Sequence, residues 1–167
     1  MEGFKGVFSN RSADACLIGT ALSMAAWQAI LLYSSSFRRQ RFLISTGFAS
    51  ILMLIAAFVY TLGTIGSGRV ARKVGMKTLT FSTAFLAGIF VITYTSPANL
   101  WLSVALSFLG CLFSGMLATA STSLTLEQVP KFRGTMMSMN SAVNNTGSAL
   151  GAGIGGAALL LFNYEGM

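Results

Sequence analysis

The residues of this chain that could take part in chemistry are mostly amides, hydroxyls and cations rather than acids or nucleophiles. There is no histidine, and only four residues are acidic, which excludes histidine-based acid–base catalysis and histidine metal sites. Cys16 and Cys111 each lie inside an apolar run, and no neighbouring residues complete a zinc ligand set. The composition therefore predicts a protein that is not an enzyme and that holds no metal or cofactor.

The last apolar run combines asparagines with a repeat of glycines. On a helix, Asn140 and Asn144 share a face with Gly147, Gly151 and Gly155. Small residues at this spacing let helices approach closely in lipid, and amide side chains in hydrocarbon need partners. Two interpretations follow: a packing face with interhelical hydrogen bonds, or the polar lining of a substrate path.

Most cations lie in two short segments between apolar runs. Residues 68–77 contain four cations and two glycines, and residues 127–134 contain Glu127, Lys131 and Arg133. Glycine permits a tight turn, and cations hold a loop on the cytoplasmic side of a membrane. An exposed pair of Glu127 and Arg133 would contribute little stability.

The overall composition is that of a membrane protein. Of the 167 residues, 54% are hydrophobic and only 9% are charged, whereas soluble domains carry about 25% charged residues. The net charge of +7 does not indicate nucleic-acid binding, because the few basic residues lie between apolar runs. The lipid bilayer is thus the expected environment.

Uncharged stretches define the helices that must position these residues. A spanning helix needs about 20 apolar residues, and the longest stretch is divided by a turn signal at residues 96–99. The runs are continuously apolar, which favours helices over a barrel. The prediction is an all-α integral membrane protein, with a cytoplasmic lead-in at 1–14 and a bundle over 15–167. Its five spans are predicted at about 15–36, 43–65, 78–95, 100–122 and 136–162.

The distribution of cations between loops predicts the orientation. With five spans, eight cations lie on the side of the N-terminus and three on the other, namely Arg38, Arg39 and Arg41. The N-terminus is therefore expected in the cytoplasm. No acidic or basic residue is expected in the middle of a span.

Three segments resemble the major facilitator superfamily. Gly68, Lys73, Gly75 and Lys77 match the loop signature that follows the second helix of each half. Arg72 stands where the first-half copy has an acidic residue, a departure that points to the second half. The stretches 127–134 and 10–37 resemble the loop before the eleventh helix and the seventh helix.

The resemblance implies five helices of a six-helix half-bundle, the seventh to the eleventh, in a fragment of a longer transporter. It implies alternating access for small solutes or drugs in a plasma membrane, with a missing N-terminal half as partner. The nine methionines point weakly to drug efflux, because methionine adapts to varied ligands.

The resemblance also assigns roles to residues. Trp27, Gln28 and Tyr33, with the two asparagines, become the candidate substrate path, and the glycine face is expected to dock on the first half. The candidate cytoplasmic gate comprises Gly68, Arg72, Lys73, Gly75, Lys77, Glu127, Arg133 and Gly134. The alternative function is a non-transporting assembly or regulatory subunit that binds a partner through the glycine face.

Overall fold

The computed structural model describes residues 7–162, with side chains as far as residue 159. The described part consists of five long helices and one 3₁₀ turn, without strands. The helices are α1 (Arg11–Phe42), α2 (Thr46–Val74), α3 (Met76–Thr93), α4 (Leu100–Glu127) and α5 (Arg133–Phe162), and the turn is Pro130–Phe132. The predicted all-α membrane fold is confirmed.

Four of the described helices, α1 to α4, are long and apolar enough to cross a membrane. Helix α5 has 30 residues, which at 1.5 Å per residue is also long enough, and its crossing stays a prediction. Large apolar side chains such as Leu54, Phe58 and Phe81 are exposed. These side chains are suited to contact with lipid.

The helices run past the ends of the apolar stretches. Helix α1 continues through Arg38, Arg39 and Arg41, and α2 continues through Arg72 and Lys73. Arginine and lysine are good helix formers, and cations interact favourably with the negative C-terminal end of a helix. The charges therefore lie on terminal helical turns rather than in loops.

The chain divides into two compact units. Unit 1 combines the chain up to Leu32 with the chain from Ser121 onward, and unit 2 is Tyr33–Ala120. The core of unit 1 is formed by Val7, Ala13, Leu17, Val129, Met136 and Met139, and a small cluster of Ala71, Leu79 and Ala120 lies in unit 2.

Many hydroxyls are satisfied within their own helices. The hydroxyl of Thr20 donates to the Cys16 carbonyl at 2.8 Å, and that of Thr83 donates to the Leu79 carbonyl at 2.7 Å. Such bonds remove the cost of a bare hydroxyl in an apolar environment.

Candidate functional site

The connection between α2 and α3 consists of Gly75 alone. Its φ of +84° is a conformation that side chains rarely adopt, and its N–H donates to the Ala71 carbonyl at 2.8 Å. Gly68, in contrast, lies inside α2 with open space around it. The expectation of a turn built on two glycines is therefore wrong for Gly68, because the helix continues past it.

The cations of the candidate gate surround this connection. Arg72 and Lys73 lie in the last turn of α2 and Lys77 in the first turn of α3, and all three are exposed. Ala71 and Leu79 are buried beneath them in one cluster. The geometry gives a tight one-residue connection with a basic rim, which suits contact with anionic groups at a membrane surface.

The connection between α4 and α5 carries the other gate residues. Glu127 ends α4, Arg133 and Gly134 begin α5, and all three are exposed. Within the described residues, no ion pair joins Glu127 to Arg133.

Gln128 holds this connection against the start of α1. Its side-chain oxygen accepts a hydrogen bond from the Ser12 hydroxyl at 2.8 Å, and its backbone oxygen accepts one from the Asn10 amide at 3.0 Å. Its own amide donates to the Leu124 carbonyl at 3.1 Å. Sequence reasoning missed this residue, because the partners are more than a hundred positions apart.

Helix α5 packs its glycine face against α1. A Cβ on Gly147 would lie 3.1 Å from the Cα of Ala21, and one on Gly151 would lie 2.6 Å from the Cα of Ala25. Gly155 is also buried. The face is occupied within the chain, so the expectation that it docks on a separate half is wrong at Gly147 and Gly151.

A second close crossing joins α2 to α4. A Cβ on Gly63 would lie 3.1 Å from the carbonyl carbon of Leu112, and one on Gly115 would lie 3.0 Å from the carbonyl carbon of Tyr60. Each helix thus offers a glycine to the backbone of the other. Sequence analysis did not single out either glycine, because neither belongs to a local repeat.

The candidate path residues are divided between the two units. Trp27 and Gln28 are half-buried in unit 1, and Tyr33 is half-buried in unit 2. Asn140 is 4% exposed and Asn144 is half-buried, both on the face that carries Gly147. The structure therefore groups the two asparagines with the packing face of α5.

Arg38 is a buried cation that sequence reasoning assigned to an outer loop. It is 3% exposed, and its Nη2 donates to the Ser107 hydroxyl at 2.8 Å, while its Nε has no partner. That hydroxyl itself donates to the Val104 carbonyl. The available signal was helical spacing, since Ser34 and Phe37 are buried on the same face.

A sequence model of the Major Facilitator Superfamily matches residues 8–167. The chain belongs to the major facilitator superfamily. The superfamily consists of membrane transporters and is generally non-enzymatic, and the match covers all five helices and both candidate gate connections. No curated protein and no solved structure matches the chain.

Proposed function

We propose that this chain supplies the seventh to the eleventh helices of a secondary active transporter that moves small organic solutes by alternating access. The family match over residues 8–167 carries this proposal. In such a mechanism, two halves of a bundle rock around a site near the middle of the membrane, without covalent chemistry. The other half of the cavity wall would come from an N-terminal half.

The arrangement of polar groups supports this function. Trp27 and Gln28 are half-buried on α1 within unit 1 and can contribute aromatic and amide contacts to a solute. The exposed cations of the α2–α3 connection and Glu127 are suited to a cytoplasmic gate. This assignment takes the N-terminus to be cytoplasmic and the membrane to be the plasma membrane.

The two core methionines of unit 1 give no support to drug efflux. Met136 and Met139 are buried in the core of unit 1, so they pack helices rather than line a path. The regulatory-subunit alternative is also weakened, because α1 already covers the glycine face at Gly147 and Gly151. Transport of small organic solutes is therefore the function favoured.

The test begins by sequencing the DNA on both sides of the reading frame. The extended protein should then be expressed in cells, and flux of a panel of labelled solutes and dyes measured. Trp27→Ala should reduce flux of the transported solute, whereas Leu22→Ala, on an exposed residue of the same helix, should leave it unchanged. The 167-residue chain alone should give no flux.

Two results would contradict the proposal. The first is a reading frame that starts at Met1 and stops after Met167. The second is an extended, membrane-inserted protein that moves no solute of the panel in either direction. Equal flux in Trp27→Ala and Leu22→Ala would reject the assigned path while leaving transport intact.

A further inference from the structure

Among the described residues of unit 1, three buried side-chain oxygen atoms accept no hydrogen bond. They are the Oδ1 atoms of Asp14, Asn140 and Asn144. Asn140 is 4% exposed, so its amide oxygen has little access to water. A buried acceptor without a donor is costly, and three at one helix pair need a common explanation.

Helical register places the residues that carry these oxygens near one another, about two turns before the crossing of α1 and α5. The two close contacts of α1 with α5 join residues 126 positions apart, Ala21 with Gly147 and Ala25 with Gly151, so the helices run parallel. Asp14 and Asn140 have the same separation. Each lies seven residues before its helix's first contact, about 10.5 Å along the axis and within about 20° of the same face.

The core contacts agree with this register. Ala13 and Leu17, on either side of Asp14, belong to one cluster with Met136, Met139 and Val143. These three residues flank Asn140 and precede Asn144 along α5. The Asp14 carboxylate therefore lies level with the Asn140 amide, and Asn144 follows one turn further along α5.

The chemistry of the three groups is that of a cation site. One carboxylate and two amide oxygens supply a single negative charge and hard oxygen ligands, which suit a monovalent alkali cation. The other charged residues that the structure describes at this end of unit 1 are exposed, namely Arg11, Glu127, Lys131 and Arg133. None of these cations is therefore buried beside Asp14 to neutralise its carboxylate.

We propose that Asp14, Asn140 and Asn144 form a binding site for Na⁺. A proton on Asp14 would satisfy only one of the amide oxygens, whereas a bound cation satisfies all three acceptors at once. The smaller alkali cation is favoured because the helix backbones are in contact two turns away. The inference goes beyond solute transport, since binding to the chain can be measured without any flux.

The site is tested by the effect of Na⁺ on the thermal stability of the purified chain in detergent micelles. Choline chloride is exchanged for NaCl or KCl at constant ionic strength, and the Tm is followed by circular dichroism. A ligand that binds only the folded state raises the Tm as its concentration rises. The Tm should rise with NaCl concentration and rise less with KCl.

Variants locate the effect. Asn140→Ala and Asp14→Asn should each weaken the apparent Na⁺ affinity by about tenfold or more, as expected when one charge-assisted contact is lost. Asn145→Ala, at the neighbouring exposed position, is the matched control and should keep the wild-type response. Asn144→Ala provides a third ligand variant if Asn140→Ala fails to fold.

The wild-type titration is decisive without any variant. A Tm that is independent of NaCl, or that rises equally with KCl, overturns the proposal. A Na⁺ response that persists in Asp14→Asn also overturns it, as does a stability that depends on pH but not on Na⁺. Each of these outcomes leaves the transport function untouched, because no flux is measured.

Discussion

The close crossing of α1 and α5 predicts a large effect from one methyl group. In Gly151→Ala, the new Cβ would lie 2.6 Å from both the Cα and the carbonyl carbon of Ala25. Comfortable carbon–carbon contact begins at about 3.5 Å. The clash is with backbone rather than with a flexible side chain, so the two helices must separate by about 1 Å.

The loss of stability in Gly151→Ala comes from the α1–α5 packing contacts that this separation breaks. Overpacking a well-packed contact costs about 1–3 kcal/mol. In Gly151→Ala, the better helix propensity of alanine offsets part of this cost. Gly153→Ala isolates that propensity, because its Cβ would have no atom within 4 Å. It should stabilise the chain by up to about 1 kcal/mol. The propensity gain is common to both variants, so they should differ by the overpacking cost alone, about 1–3 kcal/mol.

The assay is unfolding of the purified chain in mixed micelles with increasing SDS mole fraction, followed by far-UV circular dichroism. Gly151→Ala should unfold at a lower SDS fraction than wild type, and Gly153→Ala at an equal or higher fraction. If both variants unfold at the wild-type SDS fraction, α1 and α5 are not in backbone contact, and the reasoning fails.

Three further variants test other contacts in the same assay. Gly75→Ala should destabilise the chain by about 1 kcal/mol or more, because residue 75 has a positive φ, whereas Gly68→Ala should not. Equal effects of the two variants would argue against the positive-φ connection at Gly75. Arg38→Met should be neutral or stabilising by about 1–4 kcal/mol, since it removes a buried charge that has no counter-ion among the described residues, and a clear loss would indicate a bound anion. Gln128→Ala should lower the free energy of unfolding by about 1 kcal/mol. An unchanged unfolding midpoint would show that its side-chain hydrogen bonds do not stabilise the fold.

The helices were the most predictable part of the fold. Apolar runs between charges such as Arg41 and Arg69 indicate helices, because a backbone in lipid must satisfy its own hydrogen bonds. The exact ends were less predictable. Charged residues such as Arg72 continue a helix as well as apolar residues do, so a charge marks the membrane edge rather than the end of the helix.

The site was predictable only where the pattern is local. The glycine repeat from Gly147 indicates a packing face, and the structure confirms the close approach at Gly151 but supplies α1 as its partner. Gly63 and Gly115 lie at the crossing of α2 and α4, which no local sequence repeat predicts. The burial of Arg38 likewise depends on α4, since the sequence around it reads as a charged helix end.

The one-residue connection at Gly75 has a consequence for how the chain enters a membrane. Because a single residue joins α2 to α3 and the two helices are in contact, we expect them to enter the bilayer as a paired hairpin. The tip of that hairpin carries Arg72, Lys73 and Lys77. Moving it across the bilayer would carry these charges through hydrocarbon, so the hairpin would fix the topology of its neighbours during biogenesis.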